Sequence, residues 1–310
     1  STLTITKLAW RDLVPDTESY QELFAQPDLA KEHEFILSDT QPRLHYALEQ
    51  VLSPWATSPF MLLKAPEEAE YLTLLGDAMR QLRPETHSAF GGQYHISGHD
   101  IAFEPAKQAD GRFAVEGEVV TANWVEAEQL FGCLRQFNGE LSLQPGLVHR
   151  ANGGVLIISL RTLLSQPLLW MRLKTIVNQQ RFDWVGYDES RPLPVSIPSM
   201  PLSLTVVLTG DRESLADFQE MEPELAEQAV YSEYEDNIQI ADADDMAQWC
   251  QWVMAVAERF ALPTPAADAW PGLIREAVRY TGDQETLPLC PLWIGKQLRE
   301  VGVISGEGSF

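Results

Sequence analysis

Residues 145–160 read Pro-Gly-Leu-Val-His-Arg-Ala-Asn-Gly-Gly-Val-Leu-Ile-Ile-Ser-Leu, and this stretch constrains the fold more than any other. Two adjacent glycines, Gly153 and Gly154, run straight into the unbroken apolar series Val155, Leu156, Ile157, Ile158. A strand with one wet face alternates apolar and polar residues. An unbroken run after a glycine turn predicts a strand buried on both faces, as in a parallel sheet covered by helices. Phe60-Met61-Leu62-Leu63 and the stretch Leu202 to Gly210 predict further strands. The fold class expected is therefore α/β.

The segment after Phe60–Leu63 carries the first chemical signal. Lys64-Ala65-Pro66-Glu67-Glu68-Ala69-Glu70-Tyr71 leads into the apolar helix that begins Leu72-Thr73-Leu74-Leu75. Strand, short loop and helix are the layout that cradles phosphates in P-loop proteins. Such a loop needs glycines so that backbone N–H groups can curl round the anion. It also needs a lysine on the phosphates and a Ser or Thr on Mg²⁺. This loop has no glycine and three glutamates. In nucleotide-hydrolysing folds the strand corresponding to 155–158 ends in an Asp for Mg²⁺ and a Glu for water. Here Ser159 and Leu160 stand there. The strand ending in Thr209-Gly210-Asp211 offers Thr209 or Asp211 as the polar group that would face a γ-phosphate.

The rest of the chain divides by pattern. Residues 1–40 read as a lead-in with a short helix after Asp16-Thr-Glu-Ser. Pro42 opens a helix with Leu44, Ala47, Leu48 and Val51 on one face, and Pro54 ends it. Residues 41–241 form the α/β domain, with a β-rich insertion at 76–123. Val125 to Phe137 predicts one helix, carrying Ala127, Leu130, Phe131, Leu134 and Phe137 on one side. Asn138-Gly139 breaks it and leads to a short strand or ribbon at 140–143. Arg161 to Gln180 predicts a long core-facing helix or a helix pair, and Asn237–Ile240 a last short strand. From 242 to 301 the pattern is helical only, a lid-like cap, and 302–310 reads as a tail or linker.

Charge excludes some partners. With 45 acidic and 22 basic residues the formal net charge is −23, so nucleic acid and anionic membrane are repelled. Solubility is the bland consequence of the same charge. No apolar run reaches the length of a membrane span, and Ser1 to Trp10 lacks a signal-peptide pattern. Cys133, Cys250 and Cys290 are too scattered for a metal cluster or a disulfide framework, and a cytoplasmic location is expected. His95, His99 and Asp100 lie close in sequence, but no fourth ligand stands nearby, so they read as a surface loop rather than a metal site.

With these landmarks in place, the chain resembles the AAA+ part of Lon-related ATP-dependent proteases, on the branch similar to archaeal and bacterial Lon-B enzymes. Residues 145–156 resemble that family's segment before Walker B, and Gln129-Leu-Phe-Gly132 its Asn-Leu-Phe-Gly element. Gln41-Pro-Arg-Leu-His-Tyr-Ala-Leu48 is similar to the Gln-x-Arg-Ala helix before the P-loop, and Leu8-Ala-Trp-Arg11 to the N-terminal Leu-Arg-Trp-Arg. Leu204–Gly210, Glu222-Pro-Glu-Leu225 and the lid segment Gly282-Asp-Gln-Glu-Thr-Leu287 continue the likeness, which covers nearly the whole chain.

The resemblance implies a P-loop, AAA+-like parallel sheet with a helical lid. In the family this sheet holds ATP with Mg²⁺. Carried over by position, the family's P-loop glycines fall on Lys64, Glu67 and Ala69, its phosphate lysine on Glu70 and its hydroxyl residue on Tyr71. The Walker B pair falls on Ser159 and Leu160, the basic Phe-Lys position on Ala229 and Val230, and the lid's sensor arginine on Cys290. No bound cofactor is expected from residues of this kind, and neither a metal nor a catalytic residue. The resemblance further implies a C-terminal protease domain with a Ser–Lys dyad as a partner. None of Lys64, Lys174 and Lys296 has a plausible serine, so the chain is expected to be a fragment that stops before that domain. Protein substrate or unfolded polypeptide, and a homo-oligomer, are the other partners implied. The alternative is a nucleotide-independent interaction scaffold derived from an ATPase. A working ATPase with unorthodox residues rests on the P-loop layout alone.

Overall fold

A computed structural model describes residues 20–25, 37–83, 90–105, 113–115, 117–186 and 190–305. Of the expected lead-in helix, Gln21–Phe24 is described and helical; its start at 16–19 and the Leu8–Arg11 motif lie outside the described residues. The chain divides into two compact units. One is formed by 46–233; the other joins 1–45 to 234–310.

In chain order the elements begin with α1 (Gln21–Phe24), α2 (Leu37–Thr40), α3 (Pro42–Leu52), β1 (Phe60–Lys64) and α4 (Ala69–Leu82). Then come β2 (Phe90–Ser97), β3 (Asp100–Pro105), β4 (Phe113–Val115), β5 (Val119–Ala122), α5 (Ala127–Phe131), β6 (Cys133–Phe137) and β7 (Glu140–Gln144). Next are α6 (Leu147–Arg150), β8 (Val155–Ser159), α7 (Leu160–Ser165), α8 (Pro167–Gln179), β9 (Arg181–Phe182), β10 (Met200–Pro201) and β11 (Thr205–Gly210). The chain closes with α9 (Arg212–Met221), α10 (Pro223–Gln228), β12 (Val230–Glu233), β13 (Asn237–Gln239), α11 (Ala243–Arg259), α12 (Trp270–Thr281), β14 (Thr286–Pro288) and α13 (Pro291–Ser305).

The unit 46–233 is built on a five-stranded sheet in the order β12-β1-β11-β8-β5. Every neighbouring pair in it is parallel. All five residues of β8 are buried, as the apolar run of 155–158 predicts for an inner strand. Around the sheet, Trp170 of α8 meets Phe60 edge-on at 5.8 Å and Phe218 of α9 at 5.2 Å. Each of these rings is buried, worth about 1.5–3 kcal/mol in transfer terms. Glu222, the first residue of the Glu-Pro-Glu motif, ties α8 to the start of α10. Its two carboxylate oxygens accept the Trp170 indole N–H at 3.1 Å and the Lys174 ammonium at 2.6 Å.

The stretch 146–154 is a clamp on three segments. His149 Nδ1 accepts the Gly146 N–H at 2.8 Å, and its ring lies flat against Trp184 at 5.2 Å. Asn152 Oδ1 accepts the Ser203 N–H at 2.9 Å, and the Gly153 N–H reaches the Ser203 carbonyl at 2.7 Å. Arg83, just past α4, donates to the carbonyls of Gly117 and Gly153. Gly154 has to be glycine: a Cβ there would sit 2.2 Å from the Glu118 carbonyl oxygen, inside the approach of β5.

Four expectations need correction. The β-rich insertion is narrower than 76–123. Residues 76–82 belong to α4, β2–β4 form a separate three-stranded sheet, and 119–122 is the edge strand of the main sheet. Val125–Phe137 is not one helix: α5 stops at Phe131 and β6 pairs with β7. Gly132 turns the chain at φ +75°, and Asn138-Gly139 at φ +51° and +80° close a hairpin. The segment 242–301 is not helical only, because β13 and β14 form an antiparallel pair. Finally, α13 runs on through Ser305 into the expected tail, of which 306–310 lie outside the described residues.

The unit joining 1–45 to 234–310 packs its helices on tryptophans. Trp270 stacks on Phe24 at 5.9 Å and meets Trp249 at 6.2 Å, and the Trp249 N–H donates to the Pro288 carbonyl at 2.9 Å. Gln41 acts like a strand residue: its amide donates to the Glu235 carbonyl at 2.7 Å and accepts the Glu235 N–H at 2.8 Å. Arg43 pairs with the Glu235 carboxylate, so the Gln-x-Arg motif fastens the head of α3 to 235.

Candidate functional site at the carboxyl ends of the parallel strands

In parallel α/β sheets ligands sit outside the carboxyl ends of the strands. Here the register sets Leu63 beside Thr209, Lys64 beside Gly210, and Thr209 beside Ser159. One more bond, from the Ala65 N–H to the Gly210 carbonyl at 3.0 Å, extends the ladder past the strand end. Loop 65–68 therefore starts pinned to the sheet. Pro66 has no N–H to offer, and the Tyr71 N–H goes to the Glu68 carbonyl at 3.0 Å. Ala65 and the Tyr71 side chain are buried, whereas Glu68 and Ala69 are exposed.

Glu67 is the residue that turns inward. Its Oε1 is buried without a hydrogen-bond partner. Burial raises its pKa above the ordinary carboxylate value. Asp211 raises it further, while Arg161 and a hydrogen bond from Ser214 oppose the shift. Asp211 caps α9 by accepting the Ser214 N–H at 2.8 Å. Ser159 is fully buried and caps α7, accepting the Arg161 N–H at 3.3 Å. Leu160 is buried against Gly210, whose missing Cβ would lie 3.0 Å from Leu160 Cδ1. Thr209 is buried too, and its Oγ1 has no hydrogen-bond partner.

The structure thus brings together Lys64–Glu67, Ser159, Leu160, Thr209 and Asp211 from the predicted set. Glu70 and Tyr71 lie in the first turn of α4. Cys290 belongs to the other unit, at the head of α13, where its Sγ accepts the Trp293 N–H at 3.4 Å. Sequence reasoning missed Arg161 and Ser214 as neighbours of Glu67. Their only trace in the sequence is the spacing Asp211-x-x-Ser214, a helix-cap pattern.

The donor set bears on whether a polyphosphate fits. Ser159 and Asp211 are occupied as helix caps, Leu160 is apolar, and the loop contributes a buried carboxyl from Glu67 rather than a glycine backbone or a lysine. Two like charges about 4 Å apart at an effective dielectric near 20 repel by roughly 4 kcal/mol. These residues suit Mg-ATP poorly. Among the described residues no group of three or more His, Cys, Asp or Glu is placed to hold a metal. His95 instead faces Glu104 across β2 and β3 at 2.9 Å. No helix among the described residues is long and apolar enough to cross a membrane.

Comparison with known proteins places this site in context. The family model described as "LonB-like, AAA domain" matches residues 116–229, a span that holds Ser159, Leu160, Thr209 and Asp211 but not the 64–71 loop. The chain is 65% identical to a protein of Escherichia coli (strain K12) named "Putative Lon protease homolog", over 99% of this chain and 53% of that protein. A protein of the same name from Haemophilus influenzae is 40% identical over 65% of this chain and 35% of its own length. The chain thus spans about half the length of the first relative and about a third of the second. Among solved structures, NtrX from Brucella abortus aligns with a TM-score of 0.47 at 12% identity, covering 86% of this chain and 51% of that one.

Proposed function

We propose, from the premise that this chain is a Lon-related AAA-type region, that it serves an ATP-dependent-type Lon serine protease as a non-catalytic platform. Its work is oligomer assembly, gating or substrate selection for a C-terminal Ser–Lys protease domain outside these 310 residues. On this reading the unit 46–233 is the AAA-type core and the helical unit its lid. The partners are protein substrate or unfolded polypeptide, the protease domain, and further copies of the chain. No ATP, Mg²⁺ or other metal takes part in this region.

One observation carries the reading: in the loop that the resemblance aligns with the P-loop, Glu67 buries a carboxyl oxygen without a hydrogen-bond partner within reach of Asp211, and apolar Leu160, packed on Gly210, holds the place the resemblance gives to a water-polarising carboxylate. ATP hydrolysis needs cationic and N–H groups around the transferred phosphoryl. The test is cleavage of an unfolded polypeptide by the intact protein with and without Mg-ATP. Equal rates are expected, and stimulation by about tenfold or more contradicts the reading. The same observation favours a second reading, a nucleotide-independent interaction scaffold with no chemistry. It is distinguished by an intact protein that cleaves nothing under either condition.

A further inference from the structure

A cleft in the unit 46–233 has a composition unlike the rest of this acidic chain. It encloses about 410 Å³ between α5, the start of β6, the first turns of α8, and residues 185–186 and 191–194. Its walls are apolar: Phe131, Leu134, Leu168, Leu169 and Leu193 all line it. Leu168 stands at its rim 81% exposed, a large aliphatic side chain left in water. Gly186 lets the wall close: a Cβ there would lie 2.2 Å from the Arg191 carbonyl oxygen.

The polar groups of this cleft include the arginine Arg172 and the carboxylate Glu128. Arg172 lines it half-buried, with its guanidinium 4.3 Å over the Phe131 ring and 5.2 Å from the Phe182 ring. Stacking fixes the plane of the fork and leaves its edge for hydrogen bonds. One such bond is made, from Nη2 to the Asp183 carbonyl at 3.0 Å. Arg191 lines the same cleft. Glu128, which also lines the cleft, pairs with Arg135 at 3.0 Å; Asp183 pairs with Arg181 at 3.1 Å and lies within electrostatic reach of Arg172. A guanidinium held flat on Phe131 in a cleft with largely apolar walls, with Glu128 already paired to Arg135, is a local site for an anion with an apolar body.

We propose that this cleft binds a carboxylate carried on an apolar group, Arg172 taking the carboxylate and the Phe131–Leu168–Leu193 walls taking the apolar part. The volume holds two or three aliphatic side chains and excludes a folded element. The free carboxy-terminus of a polypeptide ending in leucines has this chemistry, and so does a medium-chain fatty acid. The polypeptide source rests on the reading that the chain handles polypeptide; the carboxylate chemistry stands without it. None of the residues named here belongs to the carboxyl-edge site, so the test does not depend on nucleotide.

The test is fluorescence-anisotropy titration of the 310-residue chain with a labelled hexapeptide ending Leu-Leu as free acid, and with the same peptide as its amide. Unlabelled octanoate serves as competitor and, by calorimetry, as a direct ligand. The free acid is expected to bind about tenfold or more tightly than the amide. Arg172→Gln is expected to abolish that difference, and the rim variant Leu168→Asp to weaken the acid about tenfold while leaving the melting temperature unchanged. Displacement by octanoate assigns the cleft to any apolar carboxylate; a bound peptide that octanoate does not displace assigns it to polypeptide termini. Binding of octanoate alone keeps the carboxylate site and removes the polypeptide source. Equal binding of acid and amide, an unaltered affinity in Leu168→Asp, or no binding of either ligand at about 1 mM overturns the proposal.

Discussion

Glu67 lies within electrostatic reach of Asp211, and that neighbour, second only to burial, holds the Glu67 carboxyl above the ordinary carboxylate range. The two residues come from different strand ends, β1 and β11, which the parallel register sets side by side. A raised carboxyl means that the folded state keeps its proton to higher pH than the unfolded chain does. Stability therefore falls as pH rises from the ordinary glutamate value through the raised one.

Replacing Glu67 with Gln removes that penalty. The variant is expected to be more stable than the parent at neutral pH, by under about 1 kcal/mol because the group is partly open to screening solvent. The advantage vanishes in acid below the ordinary carboxylate range. Urea denaturation at pH 7 and pH 4 checks it; a variant less stable at pH 7 contradicts the account.

His149 gives the opposite sign. It is fully buried, with its pKa pushed down to about 3 by burial and then by Arg172. The unfolded chain takes up a proton near pH 6.5, while the folded chain refuses it until about pH 3. Stability is thus lost as pH falls through that window, by roughly 1.4 kcal/mol per pH unit. His149→Gln keeps an acceptor for the Gly146 N–H and has no proton to bind. Its stability between pH 6 and pH 4 is expected to fall less steeply than the parent's, by about one proton; parallel curves contradict this.

Two glycines separate packing from propensity. Gly154→Ala drives a methyl into the Glu118 carbonyl and is expected to cost about 1–3 kcal/mol. Gly272 lies in α12 with nothing within 4 Å of its absent Cβ. Gly272→Ala is expected to leave stability unchanged or raise it by up to about 1 kcal/mol. Chemical denaturation of both variants decides; equal effects would mean that the clamp at 146–154 does not depend on that close approach.

What the sequence showed depended on how local its cause was. The inner strands β1, β8 and β11 were legible because burial on both faces leaves a short apolar run bounded by turn residues, whereas the similar run Trp252–Ala257 continues a long helical pattern in α11. The hairpin β6–β7 was not. Leu130, Phe131, Leu134 and Phe137 sit at helical spacing, and only Gly132, forced to positive φ where a Cβ would meet the Gln144 carbonyl at 2.2 Å, breaks the helix early. Asn138-Gly139 was the available hairpin signal. β5 was grouped with the insertion because its pairing with β8 is a tertiary fact. At the site, the residue types at 64–71, 159 and 160 could be read, whereas the inward turn of Glu67 beside Asp211 depends on loop geometry that no spacing encodes.

The central claim is that a sheet built like a nucleotide site has lost the groups that hold phosphate. Isothermal titration of Mg-ATP into the 310-residue chain tests it most directly. The account predicts no saturable binding at ATP concentrations up to about 1 mM. A micromolar dissociation constant that Glu67→Gln tightens further would contradict it.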